Sequence, residues 1–338
     1  MELLLKLLDI NGPSGNEQEV RSFIKKEIQG YVSEIYTDKC GTLVAHKKGN
    51  QPTVVLAAHM DEIGLMVKFI HDKGKIHLAT VGGIEPITLL GERVKIPTQK
   101  GSINGVITTA EIADDETFEN IPAIKDIFID TGLSKEDMLN LGVKIGSYVS
   151  FSSVASSLGN KDIISGKALD DRVGCYILIE LIKRLKNSKA DIYYMFTVQE
   201  EIGLYGAKTS VYSINPDWAI VVDVTSTNDF TDRKTKCIGH GPCISIKDSD
   251  FITNRCINDW LEDLAKANNI PVQYEVTDKG STDALSLSVT KGGIPTSLIS
   301  IPIRNIHTTS GIAHMDDINN AIKLLEALLN NPPKRCLT

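Results

Sequence analysis

The stretch Thr197-Val198-Gln199-Glu200-Glu201-Ile202-Gly203 places two adjacent carboxylates directly after the apolar run Ile192-Tyr193-Tyr194-Met195-Phe196. That run has the β-branched and aromatic content of a buried strand, and Gly203 and Gly206 mark the turn behind it. The acids therefore fall where an open α/β sheet presents the carboxyl ends of its strands. Neighbouring side chains on extended backbone point to opposite faces, so the two are available for separate tasks, one binding a metal and the other handling a proton. An isolated Glu-Glu is ordinarily a solvated acidic turn. Chemistry here requires partners elsewhere in the chain.

Four candidates occupy comparable places. His59 ends the apolar run that starts at Thr53, Asp170 opens a helix, Asp223 closes the run that starts at Trp218, and His307 follows the strand Ser297-Leu298-Ile299-Ser300-Ile301. Singly, each has a plainer explanation. Asp170 or Asp171 is a helix cap, His59 a hydrogen-bonded histidine at a core edge, Asp223 a turn residue, and His307 a loop residue beside Arg304, Thr308 and Thr309. His314 is the rival to His307, and its position at the edge of the last helix fits capping. His46 and His240 read as structural or surface residues, as do the isolated His71 and His77. The recurrence of five such groups at strand and helix ends outweighs the separate explanations. Two imidazoles with three carboxylates suit a pair of borderline divalent ions, such as zinc, cobalt or manganese, better than calcium or magnesium. Two ions need a shared ligand, which a carboxylate can be, and Asp170 is the natural choice. Each ion then has one histidine, one terminal carboxylate and the bridge, with room for a shared water. Glu200 is left beside a ligand, able to take that water's proton.

Such a site needs a scaffold. The chain's 338 residues, 42% of them hydrophobic, suffice for a substantial core and two domains. A net charge of −7 argues against nucleic acid as the main partner, because no basic excess offsets phosphate. The opening Met1–Asp9 is apolar but interrupted by charge and too short for a signal or a span, so a first amphipathic helix is expected. No other stretch approaches membrane-spanning length, and the expected location is the cytoplasm. Cys40, Cys175, Cys237, Cys243, Cys256 and Cys336 are scattered without Cys-x-x-Cys spacing and read as reduced thiols. A bound metal must then use His, Asp and Glu.

In chain order, a turn at Gly12–Glu17 feeds a helix bearing Val20, Phe23, Ile24 and Ile28, followed by strands through Leu43 and through Val54–Ala58. From about Val67 to Gly166 the texture changes to short β-like runs separated by glycine turns. One short helix in that region is signalled by Ser134-Lys135-Glu136-Asp137, a capping box with Asp in place of Glu. This is a compact β-rich insertion. Beyond it a helix carries Val173, Ile177, Leu181 and Leu185, another carries Ile257, Trp260, Leu261 and Leu264, and a last one runs from about Asp317 to just before Asn331-Pro332-Pro333. Alternating strands and helices predict an α/β sandwich with a largely parallel central sheet.

Several long blocks, in order, resemble the forty-second family of metallopeptidases, the tetrahedral and glutamyl aminopeptidases, some of which also carry the label cellulase. They are Gly12–Glu17, Ala57-Ala58-His59-Met60-Asp61-Glu62-Ile63-Gly64, Gly166-Lys167-Ala168-Leu169-Asp170-Asp171-Arg172, Gln199–Gly203 and Val222-Asp223. The resemblance covers essentially the whole chain. It implies a three-layer, zinc-peptidase-like α/β sandwich with an inserted small, barrel-like β domain. The catalytic domain would comprise residues 1–66 and 167–338, and residues 67–166 the insertion that drives dimerisation. It implies two divalent ions per subunit, zinc or cobalt before manganese. One is held by His59, Asp170 and Asp223, the other by Asp170, Glu201 and His307. Glu200 becomes the general base, and Asp61 a supporting residue that orients His59. Adjacency alone does not order Glu200 and Glu201; that order comes from the resemblance. The implied function is removal of N-terminal residues from short peptides, by dimers that often assemble into a tetrahedral dodecamer.

Two places depart from the family pattern. Asn305 stands where an aromatic is usual and Thr308 where serine is, and Ser281 stands where glycine is common. Neither removes a ligand, and both bear on specificity. Lys279-Gly280-Ser281-Thr282 is not a phosphate loop, since the earlier glycine is missing. The competing expectations are a related metal-dependent amide hydrolase (a deacetylase or carboxypeptidase) and a non-catalytic assembly of the same fold. A glycosidase ranks lower, because its chemistry does not call for two histidines.

Overall fold

A computed structural model of the chain describes residues 1–114, 117, 120–186, 189–232 and 234–333. Its centre is set by strands that bury both faces. In the strand Asn50–His59, Val54, Leu56 and Ala58 enter one core while Val55 and Ala57 enter another. Along Trp218–Ser226, Ile220, Val222 and Val224 alternate in the same way with Ala219 and Val221. Apolar side chains on both faces require cover on both sides, the signature of a parallel sheet inside a sandwich.

The sheet has eight strands in the order Glu34–Thr37, Leu43–Lys47, Ala190–Thr197, Asn50–His59, Trp218–Ser226, Thr296–Ile303, Cys243–Lys247 and Gln273–Val276. The four in the middle, from Ala190–Thr197 to Thr296–Ile303, are mutually parallel. Antiparallel pairings join this block to the flanking strands on each side. Helices Glu2–Asp9, Gln18–Ile28, Leu169–Arg184, Arg255–Ala267 and Met315–Asn330 cover one face. The short helices Tyr205–Ser210 and Asp283–Ser288 cover the other. This is the expected three-layer α/β architecture.

The strands Gly64–Ile70, Ile76–Val81, Phe128–Asp130, Gly101–Thr108, Arg93–Thr98 and Tyr148–Phe151 close a small barrel with a separate core around Leu65, Ile76, Val94 and Ile107. Ser134 caps the barrel's helix Lys135–Leu141 by accepting the Asp137 N–H at 3.1 Å. A three-stranded sheet of Ser156–Ser157, Ile163–Gly166 and Gly311–His314 was not foreseen. Nor were Glu34–Thr37 and Gln273–Val276, whose half-exposed residues give no apolar alternation.

No helix among the described residues is long and apolar enough to cross a membrane. Cys40, Cys175, Cys237 and Cys243 are free thiols, whereas Cys256 is disulfide-bonded, which corrects the expectation of reduced thiols throughout. Scatter without Cys-x-x-Cys spacing carries no sequence signal for a disulfide. Cys336 lies outside the described residues.

Candidate metal centre

The middle strands deliver their carboxyl ends side by side, Thr197 lying in register with His59. His59 is the last residue of its strand, and Glu200 and Glu201 follow the neighbouring strand after a short turn. Gly206 makes that turn possible. Its N–H donates to the Val198 carbonyl at 3.0 Å, and a Cβ there would stand 2.4 Å from the same oxygen. Asp223 lies on the next strand, which continues to Ser226 rather than ending at the acid. Asp170 sits at the start of the helix Leu169–Arg184, and His307 in the loop beyond Thr296–Ile303.

All five candidate ligands converge. The His59 Nε2 lies 2.9 Å from Asp170 Oδ1 and 3.8 Å from Asp223 Oδ1. The His307 Nε2 lies 3.2 Å from Asp170 Oδ2 and 3.4 Å from Glu201 Oε2. Two groups able to hold an ion result, His59 with Asp170 and Asp223, and Asp170 with Glu201 and His307; within each, the donor atoms lie within 4.8 Å of one another. Asp170 belongs to both and turns a different oxygen to each imidazole. The neighbouring Asp171 does what a helix cap does, its Oδ1 accepting the Gly174 N–H at 2.9 Å. His314 caps the last helix by accepting the Asp316 N–H at 3.1 Å. His46 is buried away from the site, stacked on Tyr193 and 2.9 Å from Asp191.

Asp61, fully buried, lies against His59, its Oδ1 3.5 Å from Nδ1. It also accepts the Glu200 N–H at 3.1 Å, the Glu201 N–H at 3.3 Å and the Ser14 hydroxyl at 2.6 Å. One carboxylate thus ties the candidate ligand His59 to the backbone of the acidic pair. Glu200 lines a cleft of about 540 Å³ together with His59, Asp170, Glu201, Asp223 and His307. A larger hollow of about 810 Å³ around Phe251 and Ile294 contains none of these groups.

Further charged residues of the family-like blocks support the site from below. Glu62 accepts Lys167 Nζ at 2.8 and 2.9 Å and the Gly12 N–H at 2.8 Å. Arg172, completely buried, donates to the carbonyls of Met60, Leu7 and Ile10. This network locks the His59 and Asp170 segments together from beneath. Asp283 accepts the Thr197 hydroxyl at 2.5 Å behind the site. From the barrel side, Gly83 approaches so closely that a Cβ would stand 3.1 Å from His307 Nδ1. A buried charge in a motif is recognisable in sequence, but its partner is not.

The electrostatics are those of a site short of positive charge. Burial raises Glu201, reinforced by Asp170, to about 8, and burial with Asp170 raises Asp223 to about 7 against the opposition of His59. Burial likewise raises Glu200 well above the carboxylate range. Burial works against charge on His59, yet Glu200, Asp170, Asp61 and Asp223 together raise it far above its ordinary range. The hydrogen bond to Asp170 lifts His307 to about 9. The Glu201 Oε1 is buried without a hydrogen-bond partner among the described residues. A buried carboxylate with one orphaned oxygen, beside His307 and Asp170, belongs to a donor set that cations would complete. The residues fit a pair of divalent ions.

A pH dependence follows for the metal-stripped protein. Glu201, Asp223 and His307 all bind protons more tightly folded than unfolded, so each contributes fully below its ordinary value and loses that contribution as pH rises. The windows run from 4.5 to about 8 for Glu201, 3.8 to about 7 for Asp223 and 6.5 to about 9 for His307. Asp61, shifted down mainly by His59 against the effect of burial, acts oppositely and only in acid. Thermal unfolding of chelator-treated protein should therefore show a midpoint that falls from about pH 5 to about pH 8, and added divalent ion should restore more stability at the higher pH. A flat profile without metal would contradict the proton accounting.

Fold and site together define an α/β protein that gathers a candidate two-ion centre at the carboxyl edge of its central sheet. Comparison with known proteins adds the family. The model of the M42 glutamyl aminopeptidases matches residues 41–324. A provisionally named aminopeptidase of Acetivibrio thermocellus is 44% identical over 328 residues, 96% of each chain. The solved TET aminopeptidase of a marine-sediment archaeon, Thaumarchaeota archaeon SCGC AB-539-E09, is 34% identical with a TM-score of 0.93, covering 98% of this chain and 97% of that one. The Pyrococcus horikoshii TET1 peptidase, which can assemble into a tetrahedron or a large octahedral shell, is 33% identical with a TM-score of 0.88, covering 98% and 99%. The chain belongs to the M42 glutamyl aminopeptidase family and is a hydrolase.

Proposed function

We propose that the chain is a di-metal aminopeptidase that releases N-terminal residues from short peptides. The observation that carries this is Asp170, which presents one carboxylate oxygen to each of two histidines, with Glu200 beside the resulting pair of donor groups. His59, Asp170 and Asp223 would hold one ion and Asp170, Glu201 and His307 the other, zinc or cobalt first and manganese next by donor type. When bound, the ions supply Lewis acidity that polarises the scissile carbonyl and lowers the pKa of a shared water. Glu200 takes up the proton at its carboxylate and delivers it to the leaving amine. Asp61 positions, holding His59 and the Glu200 backbone in one geometry.

In this reading residues 1–66 and 167–338 form the catalytic domain and residues 67–166 the dimerisation domain. Cytoplasmic dimers assemble further, towards a tetrahedral dodecamer; the shells formed by the Pyrococcus horikoshii relative support this. The mass in solution should be a multiple of 36.9 kDa, with dimer or dodecamer expected. A monomer alone would remove the assembly proposal.

The activity test uses metal-reconstituted protein on aminoacyl chromogenic substrates, acetylated amino acids and soluble glucans. Hydrolysis only of substrates with a free N-terminus, abolished by chelator and regained with divalent ion, is the expected result. Preference for acetylated amino acids would make the protein a deacetylase, and turnover of glucan a glycosidase. Full metal content with no turnover would leave a non-catalytic assembly.

A further inference from the structure

The donor group of Asp170, Glu201 and His307 is supported differently from that of His59, Asp170 and Asp223. His59 ends a buried strand and has Asp61 against its ring. His307 sits in the loop between Thr296–Ile303 and Gly311–His314, with its side chain 39% exposed and its backbone left-handed at a φ of 57°. A residue bearing a side chain keeps that conformation where its surroundings fix it. Part of that surround is the small barrel. Thr309, buried two residues beyond the histidine, donates its hydroxyl to Glu92 Oε1 at 2.9 Å, and its carbonyl accepts the Ser153 hydroxyl at 3.0 Å. Both partners are anchored in the barrel's backbone. The Glu92 N–H donates to the carbonyl of the core residue Leu89 at 3.1 Å, and the Glu92 carbonyl accepts the Ile107 N–H at 2.9 Å. Next to Ser153, the Ser152 N–H donates to the Arg93 carbonyl at 2.9 Å. Beyond the barrel strand Ile76–Val81, Gly82 and Gly83 close on the same donor group. A Cβ at Gly82 would stand 3.2 Å from Glu201 Oε2, as one at Gly83 would crowd His307.

We propose that the barrel is part of the scaffold of the metal centre, and that Glu92, acting through Thr309, is a positioning residue that holds His307 ready for its ion. This rests on the two-ion reading. A ligand on a loop must be ordered before it can coordinate, and a loop already tethered in place adds little ordering cost to binding. The tether acts on the His307 loop, whereas Asp223 lies within the strand Trp218–Ser226 and His59 ends its own. Cutting it should therefore weaken one ion and spare the other.

The test titrates chelator-stripped protein with Zn²⁺ in competition with a chromogenic chelator, which reads two binding steps per chain without any activity assay. His307→Ala identifies the step that belongs to the histidine. Glu92→Leu and Thr309→Val should each weaken that step about tenfold, the lower end of what loss of an outer-shell partner costs, and leave the other step unchanged. Glu92→Gln still offers an oxygen to the Thr309 hydroxyl, and Thr309→Ser still donates to Glu92, so both should bind like the wild type. Should Glu92→Leu fail to fold, the nearly isosteric Thr309→Val decides. No weakening, equal weakening of both steps, or failure of Glu92→Gln to restore binding overturns this inference and leaves the two-ion reading standing. A wild-type protein that binds a single ion per chain overturns the two-ion reading, and this inference with it.

Discussion

Glu200→Gln should leave metal content intact and lower kcat by about 10²–10⁴-fold, the range that one positioned acid–base group supplies. Glutamine keeps the size and the main-chain bond from Glu200 N–H to Asp61, so the turn carrying Glu201 stays in place. Glu200 also belongs to neither group of donor atoms that could hold an ion, so the swap removes no ligand. What it removes is the ability to take up a proton. Burial raises Glu200 well above the ordinary carboxylate range, with Asp223, Asp283 and Glu201 adding to the effect and His59 opposing it. That shift belongs to the metal-free site, and bound cations would favour the ionised form; a carboxylate beside them can accept a proton, while an amide cannot. Metal analysis and kinetics on the same preparation separate the outcomes. Wild-type turnover would remove Glu200 from the proton's path; loss of an ion would move it into the ligand set. Glu201→Gln should behave in reverse, losing an ion first and activity as a consequence.

The division between those two acids shows what the chain disclosed before its structure and what it did not. The strand Ala190–Thr197 and the position of the pair at its carboxyl end were legible because buried parallel strands are written as apolar runs. The order of roles within the pair was not, because it depends on which side chain turns towards Asp170 and His307, three-dimensional neighbours from far along the chain. The same holds at Asp170-Asp171, where both residues fit a helix cap and only the packing shows Asp171 capping Gly174 while Asp170 faces two imidazoles. Glu62, Lys167 and Arg172 are charged residues of the same sequence blocks, but their buried tie between the His59 and Asp170 segments joins partners distant in the chain and has no local signal. The edge strands Glu34–Thr37 and Gln273–Val276 were missed for a related reason. Their pairing is fixed by the sheet they join rather than by a local pattern.

Asp170→Ala should cost both ions, whereas His307→Ala should cost one. The difference rests on geometry. The His307 Nε2 approaches Asp170 and Glu201, and so it takes part in a single donor group. Removing it leaves His59, Asp170 and Asp223 together, so the ion at that group should still bind and the metal content should fall to about one per chain. Asp170 offers Oδ1 to the His59 side and Oδ2 to the His307 side, so its removal strips a donor from both groups at once. Each affinity should fall by more than the roughly 10–100-fold that loss of an outer-shell partner costs. The apo protein offers a second readout that does not depend on activity. The hydrogen bond to Asp170 is the main reason His307 titrates near 9, so Asp170→Ala should bring the His307 titration down towards its ordinary value, visible by NMR of the imidazole. Metal analysis showing two ions retained in Asp170→Ala would remove the shared ligand, and with it the two-ion arrangement on which the proposed hydrolysis depends.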